Sequence, residues 1–193
     1  PVIRRHVDVL VIGGGAAGCL AVISAAEVGA KVLLATKGRV PSGVSGMARG
    51  GFGAALAIRD PRDSSEVHAE DVLRNGGGLN SRSLTEVWTR EIIPLVRKME
   101  SWGLELVRGD DDFQQKEMPK NTYPRALHNR DHTGVAVMKC LSSKMKGIRG
   151  VERLEQSNLL DLIVNDGVCK GALFWNYDRG EWWVVDSPAV VLA

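Results

Sequence analysis

The segment Gly13-Gly14-Gly15-Ala16-Ala17-Gly18 constrains this chain more than any other. It satisfies GxGxxG, a weak pattern alone, and its surroundings give it meaning. Val7 to Ile12 is a short apolar run, β-branched except at Asp8 and Leu10, of the kind that forms a strand buried on both faces. Ala16 to Val28 reads as a helix rich in small residues and stopped at Gly29, and Lys31 to Ala35 reads as a second strand. Strand, glycine turn, helix and strand make a βαβ unit with a right-handed crossover. In that context Gly13 permits the tight turn, Gly15 lets the backbone approach a pyrophosphate, and Gly18 lets the helix sit close to the strand. The helix N-terminus adds free N–H groups and positive dipole charge for phosphates. Gly13, Gly15, Ala16, Ala17 and Gly18 are therefore the candidate pyrophosphate residues of a dinucleotide site.

The simplest nicotinamide-type pattern would end the second strand on an Asp or Glu that binds the ribose hydroxyls. Here that place holds Ala35-Thr36-Lys37. Two readings remain: a 2′-phosphate reader with Lys37 as its cation, or a family that binds adenosine in another way.

The rest of the chain is ordinary in charge and unusual in glycine. A formal net charge of +2 with 25% charged residues gives no reason to invoke nucleic acid or anionic lipid. The 22 glycines cluster around Gly13 to Gly18, Gly43 to Gly53 and Gly76 to Gly78, as close backbone approach demands and a flexible linker does not. Cys19, Cys140 and Cys169 are odd in number and far apart, which argues against a disulfide framework or a CxxC metal site and for a reducing, cytoplasmic compartment. Arg4-Arg5 lacks a following apolar region and reads as a solvated lead into the first strand. No segment approaches the roughly 20 apolar residues of a membrane helix. With 193 residues, one core and one domain over residues 1–193 are expected.

Thr36 to Gly53 reads as loop, Ser64 to Asn75 as a helix, and Ser83 to Trp102 as a helix capped by Ser81 or Ser83. Pro94 removes a backbone donor inside it and predicts a kink or two helices meeting. Asp110 to Tyr123 is a polar excursion, its acidic triplet a solvated loop rather than a metal site. A further helix runs from Gly134 to about Lys146. Strands follow over Leu159 to Val164, Val168 to Tyr177, Glu181 to Val185 and Ala189 to Leu192, with hairpin turns at Asn165-Asp166-Gly167 and Asp178-Arg179-Gly180.

The segment Thr36-Lys37, Ser42-Gly43-Val44-Ser45, Arg49-Gly50-Gly51 resembles the second FAD-binding stretch of the fumarate reductase and succinate dehydrogenase flavoproteins. There a Thr/Ser-Lys pair is followed by Ser-His-Thr and Gly-Gly. L-aspartate oxidase shares the layout. The resemblance continues through Glu66 to Leu73, Glu100 to Gly103, Asp131-His132-Thr133-Gly134, Leu160 to Gly167 and Ala189 to Ala193, in order, and so covers nearly the whole chain. It implies an α/β fold: a Rossmann-like FAD-binding domain with a parallel sheet, a helical insertion and a small antiparallel β element. By carry-over, Thr36 and Lys37 serve the adenosine end, Ser42, Gly43, Val44, Ser45, Arg49, Gly50 and Gly51 the flavin end, and the Leu159 backbone the adenine.

Two departures carry mechanism. Val44 stands where the respiratory enzymes have the histidine bonded to the flavin, so FAD is expected to be non-covalent and of lower potential. Arg49 stands where the family commonly has Gln or Glu, and a cation there would stabilise an anionic reduced flavin. His128 and His132 beside Asp131 suggest acid–base chemistry but read better as surface loop histidines, and His68 and Glu70 as an exposed helix face.

The resemblance further implies hydride transfer between FAD and a dicarboxylate, with electrons passed to or from an iron–sulfur partner protein, and a peripheral place at the inner face of a membrane through partner subunits. In the family the capping domain and the catalytic arginine lie beyond the strand equivalent to Ala189 to Ala193. These residues are therefore expected to be a truncated cofactor half whose open sheet edge favours self-association. L-aspartate oxidase, adenylylsulfate reductase and a non-catalytic FAD- or NADP-binding module are the rival readings.

Overall fold

A computed structural model describes residues 1–41 and 43–193, which divide into two compact units: Pro1–Met47 with Val137–Ala193, and Ala48–Ala136. The first holds two sheets. β2 (Val9–Ile12), β3 (Val32–Ala35), β6 (Val151–Leu154) and β10 (Ala189–Leu192) form an all-parallel sheet in the order β10-β2-β3-β6. β7 (Ser157–Asn165), β8 (Val168–Asn176) and β9 (Glu181–Asp186) form an antiparallel meander, and β1 (Val2–His6) adds to β9 in parallel.

All four residues of β3 are buried, as a parallel strand covered on both faces requires. On one face Leu10, Leu33 and Leu154 meet Ala172, Phe174, Trp183 and Val185 of the meander in one core. Burying a side chain such as Phe174 stabilises by about 1.5–3 kcal/mol. The other face carries Val11, Val32 and Leu34, and α1 (Ala16–Glu27) packs on this sheet with Cys19, Val22 and Ile23 buried. α5 (Thr133–Lys146) begins in the second unit and continues into the first.

In this unit three strands differ from the sequence reading. The strand expected over Val7 to Ile12 is shortened to Val9–Ile12 in the parallel sheet, Val7 and Asp8 lie between strands, and Val2–His6 forms a separate strand of the meander sheet. Arg4-Arg5 is thus part of a strand, tolerated because β1 is an edge where Arg5 stacks over Trp183 at 5.2 Å and pairs with Glu152. β6 has no apolar alternation, Glu152 and Arg153 interrupting it, yet it closes the parallel sheet beside β3. Both hairpin turns form where expected, with Asp166 and Gly167 at φ of 50° and 75°.

The second unit joins the short pair β4 (Phe52–Gly53) and β5 (Ala126–Leu127) to two helices, α3 (Ser65–Asn75) and α4 (Arg82–Ser101). Ser64 Oγ accepts from Val67 N and Ser81 Oγ from Leu84 N, so Ser81 is the cap of α4. α4 runs as one 20-residue helix with Pro94 inside it rather than as two helices. Its buried stripe is Thr85, Thr89, Val96 and Met99, while Leu84 and Val87 are exposed. Thr85 and Thr89 tolerate burial because their hydroxyls donate to the Ser81 and Glu86 carbonyls. Within the loop expected over Thr36 to Gly53, Val44–Met47 forms a short helix, α2. No described helix is long and apolar enough to cross a membrane.

Candidate cofactor site

The glycine turn sits between the end of β2 and the start of α1, and its crowding explains its composition. Gly13 has φ +121°, and a Cβ on Gly18 would lie 1.8 Å from the Gly13 carbonyl oxygen. The strand and helix therefore approach at a distance only glycine permits. α1 has Gly15 as its N-cap with no side-chain cap and no acid in its first turn. Ala16 N–H donates to Ser45 Oγ at 3.1 Å, which brings Ser45 to the glycine turn, while the Ala17 N–H has no partner among the described residues. Cys19 is enclosed beneath the turn, and burial pushes its thiol up to about 11 against the opposing pull of Arg153, so it is no nucleophile.

Beside the turn lies a cavity of about 370 Å³, lined by Gly13, Thr36, Lys37, Asn158 and Leu159 together with Ile12, Ala35, Ser157 and Ala193. It lies at the carboxyl ends of β2 and β3, where open parallel sheets place their ligands. Thr36 is pinned there from both sides, its N–H donating to the Leu154 carbonyl and its own carbonyl accepting from Ser157 N–H. Tyr177 Oη donates to the Lys37 carbonyl at 2.7 Å. Four residues chosen from sequence, Gly13, Thr36, Lys37 and Leu159, are thus brought to one cavity. Ser157, Asn158 and Tyr177 were missed, since nothing but adjacency to Leu159 or to a hairpin turn marks them.

Gly43 and Val44 are exposed, Val44 as the first residue of α2 at 84%. Ser42 lies outside the described residues. Arg49, Gly50 and Gly51 belong to the second unit and lead into β4. Gly51 has φ +124°, and a Cβ there would lie 2.5 Å from the Leu127 carbonyl oxygen. Arg49 is exposed and makes no side-chain ion pair among the described residues.

Below this backbone, the resemblance motif Asp131 to Gly134 has a structural role that its sequence did not disclose. Gly134 N–H donates to the Ala48 carbonyl at 2.7 Å, and Thr133 Oγ1 donates to the Arg49 carbonyl at 3.2 Å while accepting from Asn129 N–H. His128 is buried, not a surface histidine: Nδ1 accepts from Arg130 N–H, which assigns the proton to Nε2 as donor to Gln114 Oε1. Burial, then Lys116, lowers its pKa. His68 is likewise buried rather than exposed, tilted against Trp88 with centroids 5.1 Å apart, and only Glu70 of that pair faces solvent. Burial and the nearby Arg125 lower the His68 pKa to about 4. Arg125 itself is enclosed between Asp63 and Asp71. These groups hold the fold of the unit; none forms a nucleophile–base pair.

Residues 8–193 match the family model described as "FAD binding domain". Among curated proteins, the chain is 34% identical to one component of the fumarate reductase (CoM/CoB) of Methanothermobacter marburgensis, over 96% of this chain and 34% of that protein. It is 31% identical to the L-aspartate oxidase of Vibrio cholerae, over 98% of this chain and 37% of that protein. The apo Sdh1 complex of Mycobacterium smegmatis superposes with a TM-score of 0.94 at 32% identity, covering 99% of this chain and 34% of that one. Adenylylsulfate reductase from Archaeoglobus fulgidus, at 20% identity, shares the fold alone. The chain spans about a third of the length of the relatives it matches. With the glycine turn, the cavity at the strand ends and a family match over almost all its residues, this chain belongs to the FAD binding domain family.

Proposed function

We infer that the chain holds FAD non-covalently as the cofactor-binding part of an oxidoreductase of the fumarate reductase and succinate dehydrogenase type. The observation that carries this reading is the cavity in which Gly13, Thr36, Lys37 and Leu159 converge beside the N-terminus of α1, where the Ala17 N–H has no partner among the described residues. The adenosine end occupies that cavity. The pyrophosphate lies on Gly13, Gly15, Ala16, Ala17 and Gly18, where the helix dipole carries no acidic compensation. Gly43, Val44, Ser45, Arg49, Gly50 and Gly51 serve the flavin end. Val44 offers no nucleophile to the flavin, which supports non-covalent binding.

When bound, FAD supplies the hydride chemistry, and the protein supplies binding, orientation and electrostatics. The substrate is a dicarboxylate and the electron partner an iron–sulfur subunit. The names of the relatives favour one second reading, L-aspartate oxidation. The purified chain is expected to show the visible absorbance of bound flavin, and the oxidoreductase of which it is the cofactor-binding part, given a reduced dye, to consume fumarate. Peroxide formed from L-aspartate instead would select the oxidase, and a protein that binds NADP without visible absorbance would overturn the reading.

A further inference from the structure

The trans peptide group points its C=O and its N–H in opposite directions. The carbonyls of Ala48 and Arg49 are both drawn to the start of α5, the first by Gly134 N–H and the second by Thr133 Oγ1. The N–H groups in those same two peptide planes, on Arg49 and Gly50, must therefore face away from α5. Neither has a hydrogen-bond partner among the described residues, and both residues are exposed. Thr133 is itself 2% exposed, and Asn129 N–H donates to its hydroxyl, so the Oγ1 proton is left for the Arg49 carbonyl. Consecutive N–H groups turned the same way make a small concavity of positive charge that suits an anionic acceptor.

We propose that Thr133 is a positioning residue that aims the Arg49 and Gly50 N–H groups at an acceptor edge of the flavin ring, favouring the reduced form. This rests on the FAD reading above. Gly51, next in the chain, fixes the same turn from its other end: at φ +124° its backbone lies so close to the Leu127 carbonyl that no Cβ fits. The ring gains negative charge on reduction, so fixed donors bind the reduced state more strongly than the oxidised one. Thr133 never touches the flavin. It fixes which side of two peptide planes the flavin meets.

The test compares Thr133→Ala with Thr133→Ser in the purified flavoprotein. Thr133→Ala is expected to weaken FAD binding about tenfold and to shift the flavin absorbance. It should also lower the two-electron potential by about 30 mV for each tenfold loss in preference for reduced flavin. Thr133→Ser, which keeps the hydroxyl, should restore all three. In the unaltered protein, the Arg49 and Gly50 amide resonances should move on FAD addition, a readout that does not depend on a variant folding. FAD binding that leaves both amides unmoved, or an alanine variant with unchanged spectrum and potential, would overturn the proposal alone. Failure of the unaltered protein to take up FAD would remove the functional reading and this inference with it.

Discussion

Arg125 and Asp63 form an ion pair with no access to water: Nη2 donates to Oδ1 at 2.7 Å and Nε to Oδ2 at 3.2 Å, with side-chain exposures of 0% and 2%. The remaining Nη1 donates to Asp71 Oδ2 at 2.7 Å, so one guanidinium joins the loop before α3 to the helix itself. Removing one partner of such a cluster leaves buried charge uncompensated. Arg125→Met is expected to cost about 3–5 kcal/mol, read as a fall in the urea midpoint, because it strands the buried Asp63 carboxylate, while Asp71 keeps Arg74 and Thr122.

Acid should weaken this unit in two stages. His68 has its pKa lowered to about 4 by burial and by Arg125, so below its ordinary value near 6.5 the unfolded chain binds the proton first. Its contribution is complete above pH 6.5 and is lost as pH falls towards 4, up to about 3 kcal/mol. Burial would raise the Asp71 pKa, but hydrogen bonds from Thr122 and Arg125 outweigh it and bring the value to about 2. Its stabilisation is present above pH 4 and disappears as pH falls through 2. Stability measured against pH should slope from 6.5 to 4, and His68→Phe should flatten that first segment only.

Gly18→Ala places a methyl 1.8 Å from the Gly13 carbonyl oxygen, a backbone atom that cannot swing aside. A loss of stability of about 1–3 kcal/mol or more and of FAD uptake is expected. Gly147→Ala, whose added Cβ would meet nothing nearer than 3.7 Å, should stay within about 1 kcal/mol of the parent. Thermal melts and flavin absorbance on the two variants check the contrast.

Acid precipitation of the flavoprotein should leave all of the yellow chromophore in the supernatant, since Val44 cannot form a bond to the ring. Flavin retained by the precipitate would show attachment elsewhere in the chain.

Tyr177→Phe removes the donor to the Lys37 carbonyl and should cost about 1 kcal/mol of stability. If the adenosine end occupies the neighbouring cavity, FAD affinity should fall several-fold as well, measurable by fluorescence titration.

Local chemistry made the βαβ unit, the helices and the two hairpin turns readable, because glycine turns, caps and apolar runs act over a few residues. What stayed hidden depends on distant partners. Glu152 and Arg153 do not look like strand residues, and β6 exists because β3 offers an edge beside it. His68 and His128 look like surface histidines until Trp88, Arg125 and Gln114 arrive from elsewhere in the chain. Gly13, Thr36 and Lys37 stand out by motif and resemblance, and the structure lines one cavity with them. Thr133 was visible only as part of a motif, since its role lies in a bond to a carbonyl 84 positions away.

The pairing of β2 with β10 and of β1 with β9 joins residues near the start of the chain to residues about 180 positions later. Contacts so remote delay folding, because loop closure must precede any gain from them. On the ribosome, the glycine turn and α1 emerge early, yet their sheet lacks one flanking strand until Ala189–Leu192 follows. During that interval one side of β2 has unpaired backbone groups, and it is then that a chaperone, or association with another nascent chain, has most to act on.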